Sequence, residues 1–196
     1  TGGMGAVSPL PFVDIAFLQK VKEKVIEPTI AGLQIDNLDY RGFIFFGLMN
    51  DDGEPKVIEY NCRLGDPETE VVIPRIKNDL VELLLATVDK KLQGISIQTD
   101  ERAVATVVTV SGGYPGNYEK GKPVKGLDAM ELQGKMIFHS GTKNSEAGIV
   151  SNGGRVLAVT AYGNNITDAV NQSNNLLSFI NFEKMYYRPD IGYEFT

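Results

Sequence analysis

Two β-prone runs that flank a tight-turn signal limit the topology of the first half of the chain. The runs are Gly42–Met49 and Lys56–Asn61, and the dipeptide Asp52-Gly53 lies between them. Asp-Gly is a strong signal for a two-residue turn between antiparallel strands, because both residues tolerate positive φ angles. We therefore predict a β-hairpin whose second strand leads into the charged segment Arg63–Glu70.

The second strand of this hairpin places a carboxylate and an amide two residues apart. Side chains alternate between the two faces of a strand, so Glu59 and Asn61 are predicted to project side by side. One face carries Val57, Glu59 and Asn61, and the other carries Ile58 and Tyr60. A carboxylate oxygen and an amide oxygen can share a hard cation such as Mg²⁺, which uses few protein ligands beside substrate phosphates.

If the strand continues for two more residues, Arg63 lies on the same face and its guanidinium can reach an anionic oxygen. The spacing alone leaves a second interpretation open. In that interpretation Glu59 and Asn61 are simply the polar face of a half-exposed strand.

Two segments with helical spacing of apolar residues flank the hairpin. The first begins at Asp14, which can cap its amino end, and Pro28 is predicted to kink or interrupt it. The second begins after Asn78 or Asp79 and is predicted to end at Gly94. The expected apolar stripes are Phe17, Leu18, Val21 and Val25 in the first helix, and Leu80, Leu83, Leu84 and Val88 in the second.

The pattern changes after Gly94, and this change predicts a second domain. The boundary is predicted between Leu92 and Arg102, which gives domains 1–98 and 99–196. Strand-like segments AVATVVTVSGG, GKMIFHSGTK and GGRVLAVTAYG follow, and then a helical segment with candidate core residues Ala169, Val170, Leu176 and Leu177. The predicted fold class is α+β, with an antiparallel sheet and helices followed by a small, mostly β domain that one helix closes.

Charge and cysteine content exclude several functional classes. The 19 basic residues are scattered and the net charge is -6, so no nucleic-acid partner is expected. Every apolar run falls short of the roughly 18 residues that a membrane span needs, so no membrane partner is expected either. Cys62 is the only cysteine, which excludes an intrachain disulfide and predicts a reducing, cytoplasmic location.

Three further features carry separate predictions. Cys62 alternates away from Glu59 and Asn61, and is therefore assigned to packing. His139 is the only histidine and is predicted to be a hydrogen-bonded structural residue, which leaves a Ser-His-Asp hydrolase without support. The glycine-rich loop Thr1–Ala6 lacks the Lys-Ser or Lys-Thr of a P-loop, so it either holds an anion through its amides or is a simple turn.

Five segments, taken together and in order, resemble one enzyme family. They are TGGMGAVSP, VIEYNCRLGDPETE, SGGYPGNYEKG, HSGTK and SNGGRVLAVTAYG. With them the chain resembles, from end to end, the phosphoribosylamine–glycine ligases, also called glycinamide ribonucleotide synthetases, which are ATP-grasp enzymes of purine synthesis. Several matched segments in one order are more specific than any one of them, and they favour the metal-site interpretation of Glu59 and Asn61.

The resemblance implies a reaction with three substrates. ATP binds between two ATP-grasp lobes, and the carboxylate of glycine attacks its γ-phosphate to give glycyl phosphate. The amine of 5-phosphoribosylamine then displaces phosphate, which gives glycinamide ribonucleotide, ADP and phosphate. Mg²⁺ or Mn²⁺ bridges the phosphates of the nucleotide.

The resemblance also implies roles for individual residues. Glu59 and Asn61 are the expected metal ligands, and Arg63 is the expected catalytic residue that steadies the charge of the acyl phosphate. Two loops of one cleft supply the expected substrate-binding residues, which are Gly3, Met4 and Gly5 in the first and Gly65, Asp66, Pro67, Glu68 and Thr69 in the second. A site without a His or Cys nucleophile suits phosphoryl transfer, which depends on positioning and charge neutralisation.

Departures from the family pattern define the remaining expectations. The family's first α/β domain and adenine-clasping lobe would precede Thr1, so the chain is predicted to be a C-terminal fragment that is inactive without this missing part. The strand segment FIFFGLMN also lacks the additional acid that binds metal in many ATP-grasp enzymes. One alternative is a biotin-dependent carboxylase, which shares E-x-N-x-R but typically has a Gln and a Glu-His pair where this chain has LGDPETE. The other alternative is a non-catalytic interaction module.

Overall fold

The computed structural model describes residues 3–129, 132–146 and 148–195, which form two compact units. The first unit takes in the described residues of 1–9, 66–75 and 100–196, and the second takes in 10–65 and 76–99. Both units are therefore discontinuous in sequence. One change of unit, between Thr99 and Asp100, falls inside the predicted boundary region Leu92–Arg102. The predicted domains 1–98 and 99–196 stay a prediction.

Eight strands and five α-helices make up the regular structure of the described residues. The strands are β1 (Gly5–Ser8), β2 (Phe45–Asp51), β3 (Glu54–Asn61), β4 (Ala103–Val110), β5 (Lys135–His139), β6 (Thr142–Ser145), β7 (Gly148–Ser151) and β8 (Arg155–Gly163). The α-helices are α1 (Ile15–Val21), α2 (Glu27–Ile35), α3 (Thr69–Val72), α4 (Leu80–Val88) and α5 (Ile166–Leu177). A π-helical turn, Lys22–Ile26, joins α1 to α2, and short 3-10 turns lie at Ile73–Arg75, Leu92–Gly94, Leu127–Ala129 and Tyr193–Phe195.

A four-stranded antiparallel sheet is the framework of the first unit. The strand order is β1-β4-β8-β5, and every residue of β4 is buried. Antiparallel pairing places the amino ends of β1 and β8 beside the carboxyl ends of β4 and β5, because Gly5 pairs with Val107 and His139 pairs with Leu157. Segments that are distant in sequence therefore meet where these strand ends lie side by side. A separate two-stranded ribbon consists of β6 and β7.

Helix α5 covers the central strands of this sheet. Its N-cap is Asn165, whose side chain accepts a hydrogen bond from the Asp168 backbone at 2.9 Å. The predicted core residues Ala169, Val170, Leu176 and Leu177 are all buried, which confirms them. Ser173 adds a polar anchor, since its hydroxyl donates to the Ala105 carbonyl of β4 at 2.9 Å. The predicted α+β fold is confirmed.

In the second unit, the predicted helix begins where expected and then changes its hydrogen-bonding pattern. The Asp14 carboxylate accepts from the Phe17 backbone N–H at 2.7 Å, which confirms the predicted cap. Pro28 has no N–H to donate. The turn before it is widened, so that the Glu27 N–H bonds to the Lys22 carbonyl five residues back. Pro28 thus interrupts the α-helical pattern without ending the helix, which continues to Ile35.

The predicted hairpin is formed by β2 and β3. Asp52 and Gly53 connect the strands, and their φ angles of 50° and 82° are those that a two-residue turn requires. The turn is held from the preceding helix, because Lys20 Nζ donates to the Gly53 carbonyl at 2.8 Å. Lys20 also lies 3.0 Å from one carboxylate oxygen of Glu54, and Lys24 binds the other.

The two lysines make one part of the stability of this unit dependent on pH. Lys24 and Lys20 lower the pKa of the Glu54 carboxyl from 4.5 to about 2. A lowered pKa stabilises the fold fully above the unfolded value of 4.5, and that contribution declines as the pH falls from 4.5 towards 2. We therefore expect Glu54→Gln to lower the free energy of unfolding at pH 6, and this difference to shrink below about pH 4.5.

Urea unfolding of both proteins between pH 7 and pH 3 measures this difference. Glu101→Gln is the matched control, because Glu101 has no ion pair among the described residues. A Glu54→Gln difference that stays constant down to pH 3 would show that the lysine clamp does not act through the Glu54 charge.

The second predicted helix is shorter than expected. Asp79 is the N-cap, and its carboxylate accepts from the Val81 and Glu82 backbones. The prediction that the helix ends at Gly94 is wrong, because α4 ends at Val88. Lys90 adopts the left-handed conformation with a φ of 59°, and the Lys91 N–H closes the end on the Ala86 carbonyl.

The predicted apolar stripe of α4 is buried only in part. Leu83 is buried, whereas 43% of Leu84 and 61% of Val88 are exposed. The first helix shows the same pattern, since Val25 is buried and Leu18 is exposed. Across the described residues, no helix combines the length and the apolar character that crossing a membrane demands.

Candidate functional site

The carboxylate and the amide of the second hairpin strand lie together. The Asn61 side chain donates through Nδ2 to Glu59 Oε1 at 3.0 Å. Glu59 is exposed and Asn61 is half-buried, so both are accessible from one side of the hairpin. The predicted adjacency of Glu59 and Asn61 is confirmed by this contact. On the strand between them, Tyr60 packs edge-to-face against Phe46 of β2, with ring centroids 5.2 Å apart.

A register shift and a glycine make room for the Glu59 side chain. Gly47 pairs with Glu59 and Leu48 pairs with Val57, so Ile58 has no partner across the hairpin. Such bulges redirect side chains, and the predicted alternation from Val57 to Glu59 is broken at this point. A Cβ on Gly47 would lie 2.8 Å from Glu59 Cγ, which is closer than real contacts allow. A side chain at position 47 would therefore displace Glu59.

Arg63 and Cys62 lie beyond the end of the strand. Because β3 ends at Asn61, the condition under which Arg63 would share the face of Glu59 is not met. The exposed Arg63 guanidinium instead donates to the Leu64 carbonyl at 2.7 Å. The assignment of Cys62 to packing is wrong, because its side chain is exposed in a bend that strand alternation does not govern.

The predicted amino-terminal substrate loop is partly a strand of the first unit. Thr1 and Gly2 lie outside the described residues. Gly3 has a φ of 74°, and Met4 is buried among Val108, Val110 and Ala158 of the central strands. Gly5 belongs to β1 and pairs with β4. The predicted loop Thr1–Ala6 is therefore a strand from Gly5 onward.

The second predicted substrate loop straddles the two units. Gly65 is a buried residue of the second unit, while Asp66–Thr69 belong to the first. Pro67 is buried, and Glu68 precedes the single turn of α3, which begins at Thr69. The turn closes with the Val72 N–H on the Glu68 carbonyl at 2.9 Å. Asp66 is the exposed member of the loop within the first unit.

Sequence reasoning missed one residue that joins these segments. Arg155, the first residue of β8, donates through Nη1 to Asp66 Oδ1 at 2.8 Å, and its Nη2 binds Oδ2. The same Nη1 lies 3.2 Å from the Asp66 carbonyl and 3.4 Å from the Gly3 carbonyl. The matched segment SNGGRVLAVTAYG contained Arg155, but no pattern linked it to a residue 89 positions away.

Glu70 is a second acid of this region, and it is partly buried. Its Oε2 is buried and has no hydrogen-bond partner among the described residues. Burial raises the pKa of the Glu70 carboxyl, and the charge of Asp66 raises it further, while Arg155 acts in the opposite direction. Arg155 therefore binds one carboxyl group of the GDPETE segment, Asp66, and its charge acts on a second, Glu70.

The donor set available for a metal is small. Among the described residues, no three or more His, Cys, Asp and Glu side chains group in a way that could hold an ion. The Glu59–Asn61 pair offers one carboxylate and one amide, which fits a hard cation whose other ligands are waters and phosphates. His139 lies elsewhere, exposed at the end of β5, and its Nδ1 is 2.9 Å from the Thr142 hydroxyl, which confirms the predicted hydrogen-bonded role.

Comparison with known proteins places both parts of the chain in one family. Residues 1–69 match the family model of the phosphoribosylglycinamide synthetase ATP-grasp (A) domain, and residues 104–194 match that of the C domain. The chain is 48% identical over 194 residues to the phosphoribosylamine–glycine ligase of Vibrio vulnificus strain CMCP6. That alignment takes in 98% of this chain but 45% of the relative, so the chain spans about half the length of the curated relatives it matches.

Solved structures agree with this placement. The crystal structure of phosphoribosylamine–glycine ligase from Thermotoga maritima superposes with a TM-score of 0.80 at 32% identity, over 95% of this chain and 46% of that one. Rhizobium etli pyruvate carboxylase has a similar fold, with a TM-score of 0.63, but at 16% identity over 96% of this chain and 19% of that one it shows the fold alone. The chain belongs to the phosphoribosylamine–glycine ligase family.

Proposed function

We propose that this chain is the C-terminal part of an ATP-dependent ligase that joins glycine to 5-phosphoribosylamine. The products are glycinamide ribonucleotide, ADP and phosphate, and the setting is cytoplasmic purine synthesis. The observation that carries the proposal is the contact between Glu59 and Asn61, intact in a chain of this family. The remainder of the relatives' length would supply the rest of the nucleotide site.

Glu59 and Asn61 are the residues that would hold Mg²⁺ or Mn²⁺. When bound, the ion neutralises charge on phosphate oxygens and thereby favours attack at phosphorus. Asn61 now directs Nδ2 towards Glu59, and the choice of amide nitrogen or oxygen follows from the hydrogen bond. A bound cation therefore requires the Asn61 amide to turn and offer Oδ1.

The other proposed roles concern binding and charge. Arg63 supplies an exposed positive charge that suits the developing charge of an acyl phosphate. Gly3, Met4, Gly5 and the segment Gly65–Thr69 are proposed to bind substrate. None of these groups needs to transfer a proton, which agrees with a reaction that depends mainly on positioning.

Release of ADP by the full-length protein tests this function. We expect ADP release to require glycine and 5-phosphoribosylamine together, and to stop when the divalent cation is removed by a chelator. The carboxylase alternative predicts ADP release with bicarbonate and biotin in place of the two substrates. The interaction-module alternative predicts no ADP release with either set, and either of these results would contradict the proposal.

A further inference from the structure

We propose that Arg155 is a positioning residue that holds the GDPETE segment in the shape needed to bind substrate, and this inference rests on the proposed function. Its guanidinium contacts two of the predicted substrate-binding segments at once, through Asp66 and through the carbonyl of Gly3. Nη1 donates to the Gly3 carbonyl, the Asp66 carbonyl and Asp66 Oδ1, and Nη2 binds Asp66 Oδ2. The two bonds to the carboxylate fix the plane of the guanidinium.

The backbone around Arg155 favours this arrangement. Gly3 has a φ of 74°, which non-glycine residues rarely adopt, and a Cβ at Gly3 would lie 3.0 Å from Arg155 Nη1. The glycine thus brings its carbonyl to the guanidinium. Gly154, the residue before Arg155, is buried against the Tyr114 ring, 2.4 Å from where a Cβ would lie, so the start of β8 has little freedom to move.

The positive charge of Arg155 is a second way in which this residue affects the GDPETE segment. GDPETE carries three acids, and two of the proposed substrates, ATP and 5-phosphoribosylamine, carry phosphates that acids repel. Arg155 binds both oxygens of the Asp66 carboxylate and so offsets its negative charge. Burial raises the pKa of the Glu70 carboxyl, and the charge of Arg155 offsets part of that rise.

A stabilising role alone is a weaker explanation. The Asp66 side chain is 52% exposed, and ion pairs of this exposure contribute little to folding stability. The same fold contains a matched pair, Arg188 and Asp190, which is also bidentate and has side-chain exposures of 35% and 52%. The hydrogen bonds and the ion pair given for Arg188 among the described residues all join it to Asp190. It therefore serves as a control for the effect of an arginine pair as such.

Amide hydrogen exchange on this chain tests the structural part of the inference. In Arg155→Lys, which keeps the charge but loses the bidentate geometry, we expect exchange at Glu70, Val71 and Val72 to be at least ~10-fold faster. Those amides close the turn on the Pro67 and Glu68 carbonyls. Arg188→Lys should leave them unchanged. Equal exchange rates at these amides in Arg155→Lys and Arg188→Lys would overturn the inference, independently of any result on enzymatic activity.

Kinetics of the full-length protein test the functional part. We expect Arg155→Lys and Asp66→Asn each to lower kcat/KM at least ~10-fold, and the double variant to lose no more than the worse single variant, because both act through one contact. The melting temperatures of Arg155→Lys and Arg188→Lys should agree within a few degrees, about 3 °C.

The outcomes separate the inference from the function on which it rests. A wild-type protein that fails to release ADP with glycine and 5-phosphoribosylamine contradicts the proposed function, while the exchange result still decides on Arg155. An active wild type with Arg155→Lys kinetics equal to those of Arg188→Lys overturns the positioning role. Additive losses in the double variant overturn the claim that Arg155 acts through Asp66.

Discussion

Replacing Glu59 with Gln is expected to lower glycine-dependent turnover of the full-length protein by at least ~100-fold, or about 2.7 kcal/mol of transition-state stabilisation. The substitution keeps the size of the side chain and the space that Gly47 leaves for it. It removes the only carboxylate of the Glu59–Asn61 pair, and with it the charge that would hold a divalent cation. We also expect the concentration of Mg²⁺ needed for half-maximal rate to rise.

Glu54→Gln is the matched control for this experiment. It makes the same chemical change at the other end of β3, where the acid binds Lys20 and Lys24. The steady-state rate of ADP release by Glu54→Gln, measured across a range of Mg²⁺ concentrations, should be close to that of the wild type. Near-normal turnover of Glu59→Gln at ordinary Mg²⁺ concentrations would remove Glu59 from the metal role.

Local signals were enough to predict several elements of the fold. The hairpin follows from Asp52-Gly53 and the β-prone runs beside it, because the turn and the strands are fixed by neighbouring residues. Helix α5 and its buried face follow from the helical spacing of apolar residues in that segment. The adjacency of Glu59 and Asn61 needed only the two-residue period of a strand.

The elements that sequence reasoning missed depend on rare conformations or distant contacts. Helix α4 ends at Val88 and is followed by Lys90 in a left-handed conformation, which glycine usually supplies, so the sequence pattern favoured Gly94 as the end. The bulge at Ile58 and the end of β3 before Cys62 broke an alternation that was assumed to continue. The glycine at position 47, inside the paired strand β2, is a local sign of the bulge, because glycine within a strand often marks one.

The site shows the same division between local and distant information. The predicted binding segments follow from their resemblance to one enzyme family, whereas the contacts of Arg155 form only when strands β1, β4 and β8 are paired. Pairing of this kind joins residues about 90 to 150 positions apart, as the contacts of Arg155 with Asp66 and Gly3 show. A pattern read along the chain has no means of finding such a contact.

This 196-residue chain, prepared alone, is expected to fold but to release ADP at less than one tenth of the rate of an intact ligase. Folding is expected because the first unit buries a continuous core between its sheet and α5. Catalysis is a separate requirement, because phosphoryl transfer needs the nucleotide held in line with its acceptor. The chain spans 45% of the length of its Vibrio vulnificus relative. Under the proposed function, the other part is expected to clasp adenine and phosphates.

The measurement is ADP release with ATP, glycine, 5-phosphoribosylamine and Mg²⁺, with the Vibrio vulnificus ligase as the intact comparison and circular dichroism to show that the chain is folded. Weak binding of Mg²⁺ is compatible with inactivity, because Glu59 and Asn61 supply two ligands and phosphates would complete the set. Glycine-dependent turnover within tenfold of the intact ligase would place the whole ATP site inside these 196 residues. The remaining groups that bind the nucleotide would then lie among other residues of this chain.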